Sequence, residues 1–305
     1  MTQATLKPNL FIIGAMKSGT TSLHEYLDTH PEIAMSEEKE PGYFVEELGL
    51  PKGEDWYRSR WAQRGEFRYV GESSTHYTKL PVFQGVPERL FRFNPEARLI
   101  YIMRNPFDRT VSHYWHALRD EYHGGELRPL LKAVQEDPGY LAFSDYAMQL
   151  EPYFERFGRG AIATLTFEAL IEDPQREVDR IYRWLGLAPH PIGEESAKVH
   201  NQKPNDMTAV AGAGVLNRIQ YSSTWHRISP HVPAWMKNLA KRQAYRPVVE
   251  RDVEKDIPRL RDAIAELQRR QIDSLTRLLG RDFPEWRADA EDRSGAKACA
   301  VSEET

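Results

Sequence analysis

The sequence is poor in three features that would each point to a special class of protein. A single cysteine, Cys299, excludes an internal disulfide framework and a cysteine-based metal cluster. The formal net charge of −4 gives no overall case for nucleic-acid binding. The apolar run at 10–15 is too short for a signal peptide, and no segment approaches the ~18 apolar residues of a membrane span. We therefore expect a cytoplasmic globular protein without a transmembrane segment.

What the sequence does have is an alternation of short apolar segments with segments of helical spacing. The segments at 10–13, 67–72, 98–103 and 161–167 are typical of strands. The segment RLIYIM is apolar on both faces, as the strands of a parallel sheet are. The alternation predicts an α/β fold with a central parallel sheet flanked by helices.

We expect a single domain at residues 1–287, followed by a disordered tail at 288–305. Within that domain, residues 205–246 carry many lysines and arginines with interspersed aromatic residues. This composition predicts an insertion that closes over the functional site and meets phosphate or an anionic membrane surface. A solvated basic face explains the same composition.

The first strand leads into the stretch GAMKSGTTS at 14–22, which resembles a phosphate-binding loop. Gly14 and Gly19 have the required spacing, but the usual pattern needs a lysine directly after the second glycine. Here that position is Thr20, and the lysine, Lys17, lies inside the loop. Backbone N–H groups and the positive end of a helix dipole favour an anion at such a turn. The alternative is a strand-to-helix turn that binds nothing.

A second strand-to-helix unit follows the strand at 98–103. Arg104 stands at the exit of that strand, Asn105 can cap the following helix, and Ser112 lies two turns further on. An arginine and a hydroxyl group near a helix start suit a second phosphate, although the arginine can equally pair with a carboxylate. His113 and His116 have no third ligand at matching spacing, so we expect no metal site.

Two residues are candidates for acid–base chemistry. Glu40 precedes a turn and an aromatic pair in KEPGYF, a context that predicts partial burial and a pKa raised toward the range of a general base. His76 lies in a polar loop after the strand at 67–72, and the end of a strand is where an open α/β sheet binds its ligands. The bland alternatives are a solvated acidic loop and a surface histidine.

Together these motifs resemble those of the PAPS-dependent sulfotransferases. GAMKSGTTSLHEYLDTHPEI looks like their 5′-phosphosulfate loop, and RNPFDRTVSHYWH looks like their 3′-phosphate motif. KEPGYF and LTRLLGRDFPEW are similar to the bacterial and carbohydrate branch, which includes heparan-sulfate-type enzymes. The resemblance implies a P-loop-nucleotide-kinase-like sulfotransferase fold. It also implies sulfuryl transfer from 3′-phosphoadenosine 5′-phosphosulfate (PAPS) to a hydroxyl group, with 3′,5′-bisphosphoadenosine as product and no metal.

The resemblance also implies roles for individual residues. Lys17 would contact the 5′-phosphosulfate, Glu40 would be the catalytic base, and Arg104 with Ser112 would hold the 3′-phosphate. The phosphate would be cradled by Ser18, Gly19, Thr20, Thr21 and Ser22.

In two places the sequence departs from that family pattern. Ser73 stands where heparan-type enzymes carry a lysine after a glutamate. Cytosolic-type members take their base, a histidine, from the same region, so His76 remains an alternative to Glu40. The third cofactor segment of the family is expected around Lys241–Arg246.

The acceptor is the least defined part of the prediction. Acidic residues around Glu40 disfavour a sulfated polyanion, which leaves a sugar, a glycolipid, a lipid alcohol or a phenol. The rival readings are a P-loop kinase or NTPase and a non-catalytic nucleotide-binding scaffold.

Overall fold

The computed structural model describes residues 7–61, 67–119, 126, 128–193, 209–210, 245–246 and 250–286. The predicted tail at 288–305 lies outside these residues, as does the predicted insertion at 205–246 except for two short strands. The proposed third cofactor segment, Lys241–Arg246, is described only at its last two residues.

The chain divides into two compact units. The first comprises Met1–Arg109, Leu141–His200 and Glu266–Thr305, and the second comprises Thr110–Tyr140 and Asn201–Ala265. In chain order the strands and helices are β1 (Leu10–Gly14), α1 (Thr20–Asp28), β2 (Ile33–Met35), α2 (Glu54–Arg58), β3 (Tyr69–Ser73), α3 (Val86–Phe93), β4 (Arg98–Met103), α4 (Pro106–Arg119), α5 (Leu130–Glu136), α6 (Gly139–Ala142), α7 (Tyr146–Phe157), β5 (Ile162–Thr166), α8 (Phe167–Glu172), α9 (Pro174–Trp184), β6 (Ala209–Val210), β7 (Tyr245–Arg246) and α10 (Glu250–Leu279).

The first unit is built on a five-stranded sheet in the order β2-β3-β1-β4-β5. All of its pairings are parallel, which confirms the predicted α/β class. Strand β4 has the predicted bounds, whereas β3 begins at Tyr69 rather than at residue 67. Strand β2 was not predicted, because three residues are too few to display a period-two pattern.

Side chains alternate along each strand, so each strand contributes residues to both faces of the sheet. Both faces are buried, each in its own hydrophobic cluster. Phe11 and Ile13 of β1 face a cluster rich in aromatic residues, which includes Tyr57 and Trp61. The other face of β1 packs on helices α1 and α9 through residues such as Leu10 and Ile12. Trp61 and Tyr57 are fully buried packing residues.

The parallel arrangement places the carboxyl ends of all five strands along one edge of the sheet. The loops that follow β1, β2, β3 and β4 contain Lys17, Glu40, His76 and Arg104, respectively. An open α/β sheet binds its ligands at this edge. The candidate residues from distant parts of the sequence therefore share one region of the fold.

Gly19 is fixed by two constraints that can be separated by mutation. Its φ angle is 89°, and a Cβ atom there would lie 2.6 Å from the ring of Phe167. Gly280 has a similar φ of 64° but no atom within 4 Å of the corresponding position. We predict that Gly280→Ala lowers the free energy of unfolding by about 1–2 kcal/mol for backbone strain alone. Gly19→Ala should cost about 1–3 kcal/mol more because the ring must move.

Urea denaturation of the two variants measures this difference. Equal losses of stability in Gly19→Ala and Gly280→Ala would show that the Phe167 ring gives way without cost.

Candidate active site

The loop after β1 and the start of α1 form a site suited to an anion. Ala15 N donates to Ile102 O at 2.7 Å, which ties the loop to β4. The first hydrogen bond of α1 runs from Leu23 N to Gly19 O, so the N–H groups of Thr20–Ser22 have no partner within the helix. Gly19 provides no side-chain cap. Three backbone donors and the positive end of the helix dipole thus point out of the helix start.

Lys17 and Glu40 share an unusual backbone conformation. They are the two non-glycine residues with positive φ in the described part of the chain, at 67° and 61°. The left-handed conformation costs about 1–2 kcal/mol for such a residue. Strain of this kind concentrates at functional sites, where the surrounding structure maintains it. The backbone therefore singles out two of the three residues that the sequence nominated for catalysis, the third being His76.

Arg104 reaches back from the end of β4 to the loop after β1. Its Nη1 lies 3.5 Å from Lys17 O, and its guanidinium lies 4.9 Å from the centre of the Phe167 ring. The same ring packs against Gly19. Phe167 was missed from the sequence, although its position directly after β5 at the ligand-binding edge is a usable signal.

The other residues of the second phosphate motif lie at the start of α4 and along it. Asn105 Oδ1 accepts from Phe107 N at 3.0 Å, and α4 begins at Pro106, as the capping pattern predicts. Arg109 is fully buried, with its Nε hydrogen-bonded to Ser144 Oγ. Ser112 lies on α4 within the second unit, and its role stays a prediction.

The two rival bases, Glu40 and His76, contact each other. His76 Nδ1 lies 3.3 Å from Glu40 Oε2. The same oxygen accepts from Thr75 N at 2.7 Å and from Thr75 Oγ1 at 3.2 Å. Glu40 Oε1 accepts from Lys39 Nζ at 2.7 Å. The sequence presented the glutamate and the histidine as alternatives, but the structure makes them neighbours.

The expectation of a raised pKa for Glu40 is wrong. Burial alone would raise it, but the close contact with His76 and the ammonium group of Lys39 outweigh burial and lower the pKa to about 2. The carboxylate is therefore ionised at neutral pH. With Lys39 in place it is a weak base, because the driving force for proton transfer falls with the pKa.

Glu72, which was not predicted from the sequence, stabilises the loop that contains Glu40. It is fully buried at the end of β3 and accepts hydrogen bonds from Tyr57 and Tyr77, at 2.9 and 2.5 Å. Ser74 Oγ donates to Glu72 at 2.6 Å and accepts from Gly42 N at 2.9 Å. Glu72 thus links β3 to the turn that follows Glu40.

A polar groove of about 520 Å³ lies along α1 beside Lys39. Its lining comprises Thr21, His24, Glu25, Asp28, Thr29, Ser36, Glu37 and Lys39. His24 is neutral there, because burial lowers its pKa to about 4. Among the described residues no group of three side chains could hold a metal ion, and no helix is long and apolar enough to cross a membrane.

Glu72 makes stability depend on pH. Burial raises its pKa from 4.5 to about 7, despite hydrogen bonds from Ser74 and both tyrosines. The folded protein therefore retains a proton that the unfolded chain releases, and the contribution of Glu72 to stability should fall by about 3 kcal/mol as pH rises from 4.5 through 7. His24, whose pKa burial lowers to about 4, acts in the opposite direction between about pH 4 and 6.5. The difference in stability between the wild type and Glu72→Gln should therefore change by this amount across the window, whereas the difference between the wild type and the exposed Glu96→Gln should stay constant.

Urea unfolding between pH 4.5 and 8 measures these differences. Glu40, whose pKa is lowered, affects stability only below this window. A constant difference between the wild type and Glu72→Gln would contradict the assignment.

Comparisons with known proteins bear on this site. A family model described as the sulfotransferase domain matches residues 7–211. Heparan sulfate glucosamine 3-O-sulfotransferase 3A1 of Mus musculus is 29% identical over 186 residues, 59% of this chain and 46% of that protein. Heparan sulfate glucosamine 3-O-sulfotransferase 6 of Homo sapiens is 29% identical over 185 residues, 59% of this chain and 52% of that protein. The chain spans about half the length of these curated relatives.

A solved structure resembles the whole fold. The sulfotransferase from Alicyclobacillus acidocaldarius superposes with a TM-score of 0.65 over 92% of this chain and 99% of its own, at 23% identity. That likeness supports the fold alone. The family model matches more than half of the chain and includes both phosphate motifs. This chain belongs to the PAPS-dependent sulfotransferase family.

Proposed function

We propose that this chain transfers a sulfuryl group from PAPS to a hydroxyl group of an acceptor by in-line displacement. The observation that carries the proposal is the pairing of an anion-binding loop with an ionised carboxylate at the same edge of the sheet. Lys39 Nζ lies 2.7 Å from Glu40 Oε1 and 3.4 Å from Thr20 Oγ1, so one ammonium group connects the two parts.

The residues around the loop fit the 5′ end of the donor. The N–H groups of Thr20–Ser22, which have no partner within the helix, can bind phosphate oxygens, and the ammonium group of Lys17 can neutralise the charge of the leaving phosphate. The bound donor would supply an activated sulfuryl group and a phosphate leaving group. Ser18 is fully buried and shapes the loop through its N–H, which donates to Ala15 O at 3.2 Å.

Arg104 is the proposed contact for the 3′-phosphate. Its guanidinium is held by the face of Phe167 and by Lys17 O, and its remaining donors suit a phosphate. Ser112 is proposed as the second ligand of that phosphate from the family motif.

Glu40 is the proposed base, and His76 is the alternative. An acceptor hydroxyl must lose its proton as its oxygen attacks sulfur. Glu40 is ionised and can accept that proton at Oε1, while the Thr75 N–H and the imidazole hold Oε2. In the alternative, Nε2 of His76 accepts the proton, and Glu40 orients the ring through its contact with Nδ1.

The acceptor is proposed to carry a neutral hydroxyl group, on a sugar, a glycolipid, a lipid alcohol or a phenol. The groove beside Lys39 presents the carboxylates of Glu25, Asp28 and Glu37, which would repel a polyanion. The relatives named above are heparan sulfate enzymes, so this chain would differ from them in its acceptor. Cytoplasmic localisation remains part of the proposal.

The rival reading as a P-loop kinase or NTPase has less support. Thr20 stands where those enzymes carry their phosphate-binding lysine. A non-catalytic scaffold would not need a strained lysine and a strained carboxylate at one edge of the sheet.

Variants of three residues test the mechanism. Lys17→Ala should lower kcat about 10²–10³-fold, because it removes charge stabilisation of the leaving group. Glu40→Gln should lower kcat about 10²–10⁴-fold, because it removes the base. Sulfate transfer from labelled PAPS to a panel of hydroxyl acceptors measures both, with the exposed Lys52→Ala as a control that keeps activity.

His76→Ala decides the base assignment in the same assay. If Glu40 is the base, this variant keeps most of the rate. Full activity in Glu40→Gln together with loss of activity in His76→Ala would assign the base to the histidine.

The role of Arg104 predicts a change in ligand selectivity. Arg104→Ala should weaken binding of 3′,5′-bisphosphoadenosine about 10–100-fold and leave binding of adenosine 5′-monophosphate nearly unchanged. Arg98→Ala, at the other end of β4, is the matched control. Calorimetric titration with both nucleotides measures the ratio, and equal weakening of the two would exclude a 3′-phosphate contact.

A further inference from the structure

Lys39 occupies a position that neither the phosphate motifs nor the base assignment explains. Its Nζ is shared between the Glu40 carboxylate at 2.7 Å and the Thr20 hydroxyl at 3.4 Å. Thr20 is the first residue of α1, and its N–H group is one of the proposed phosphate donors. The side chain of Lys39 is 25% exposed, so it can exchange partners without leaving a buried core.

We propose that Lys39 is a donor-contacting catalytic residue that exchanges the Glu40 carboxylate for the phosphosulfate when the donor binds. The inference rests on the proposed function of this site. Before the donor binds, Lys39 blocks Glu40 Oε1. After it binds, the ammonium group moves the short distance to the helix start, and Oε1 becomes free to accept a proton.

The hydrogen bonds of Glu40 permit this exchange. Oε2 accepts hydrogen bonds from Thr75 N and Thr75 Oγ1, and His76 Nδ1 lies 3.3 Å from it. Oε1 has only the Lys39 contact among the described residues. The carboxylate can therefore keep its orientation when Lys39 leaves. The lysine stem is flexible, which suits an ammonium group that serves two anions in turn.

The exchange fits the chemistry of the transfer step. The acceptor oxygen forms a bond to sulfur, the bond from sulfur to the 5′-phosphate oxygen breaks, and its electron pair stays on that phosphate oxygen. The hydroxyl proton passes to Glu40 Oε1. Lys39 then lies beside the anionic group that gains charge and away from the group that must gain a proton.

The basicity of Glu40 should follow the position of Lys39. The charged and titratable groups that act electrostatically on or with Glu40 are Lys39, His76, Lys79, Glu72 and His24. Hydrogen bonding and charge from Lys39 lower the pKa of Glu40, so removal of the ammonium group from Oε1 raises it. The same charge that restrains the base in the free protein would stabilise the donor in the complex.

A double-mutant cycle in ligand binding tests the exchange without any activity measurement. The probe is 3′,5′-bisphosphoadenosine, titrated by calorimetry into the wild type, Glu40→Gln, Lys39→Met and the double variant. If Lys39 is shared, Glu40→Gln releases it and tightens binding about 5-fold in the wild-type background. The same change in the Lys39→Met background should have no more than the small effect of removing one negative charge.

Two further measurements test whether the ammonium group of Lys39 is responsible for the coupling. Lys39→Arg should restore part of the coupling, because arginine keeps the charge. A ¹³C NMR titration should give a higher pKa for Glu40 in free Lys39→Met than in the wild type. Folded variants with an additive cycle would overturn the role of Lys39 and leave the proposed function standing. Absence of bisphosphate binding by the wild type would overturn both.

Discussion

Parallel pairing of β1 with β3 is the constraint on which the candidate site depends. The register that sets Ile12 beside Ser73 brings the ends of the two strands together. Ser74 N donates to Ile12 O at 3.0 Å, and Thr78 Oγ1 donates to Ile13 O at 2.7 Å, so the segment that follows β3 is bonded to the end of β1. A one-residue slip of this register would turn Glu72 out of the core and would remove the support of the Glu40 loop.

The network around Glu40 combines two carboxyl groups whose pKa values are shifted in opposite directions. Burial raises the pKa of Glu72 to about 7. Its carboxyl oxygens accept hydrogen bonds from tyrosine and serine hydroxyl groups. Glu40 is more exposed, and its basic neighbours keep it ionised. When two carboxyl groups lie in such different environments, their pKa values diverge and they can serve different roles. The proposed roles, Glu72 as a structural residue and Glu40 as the base, follow from their surroundings, since both residues are glutamates.

The parts of the fold set by local sequence were predictable. Strand β4 and the start of α4 were correct because an apolar run and an N-cap residue leave strong local signals. Lys17 and Arg104 were nominated by spacing and resemblance, and their loops do lie at one edge of the sheet. What escaped prediction depends on contacts distant in sequence. The role of Phe167 and the pairing of Glu40 with His76 arise from strand order, which no single segment encodes.

The most direct test of the central claim is a competition between nucleotides for the loop after β1. Calorimetry would compare binding of 3′,5′-bisphosphoadenosine without metal and binding of ATP with Mg²⁺. The account predicts a clear preference for the bisphosphate, since Arg104 and Lys17 are proposed to read its two phosphates. Preferential binding of ATP with Mg²⁺ would contradict the sulfotransferase assignment of the site.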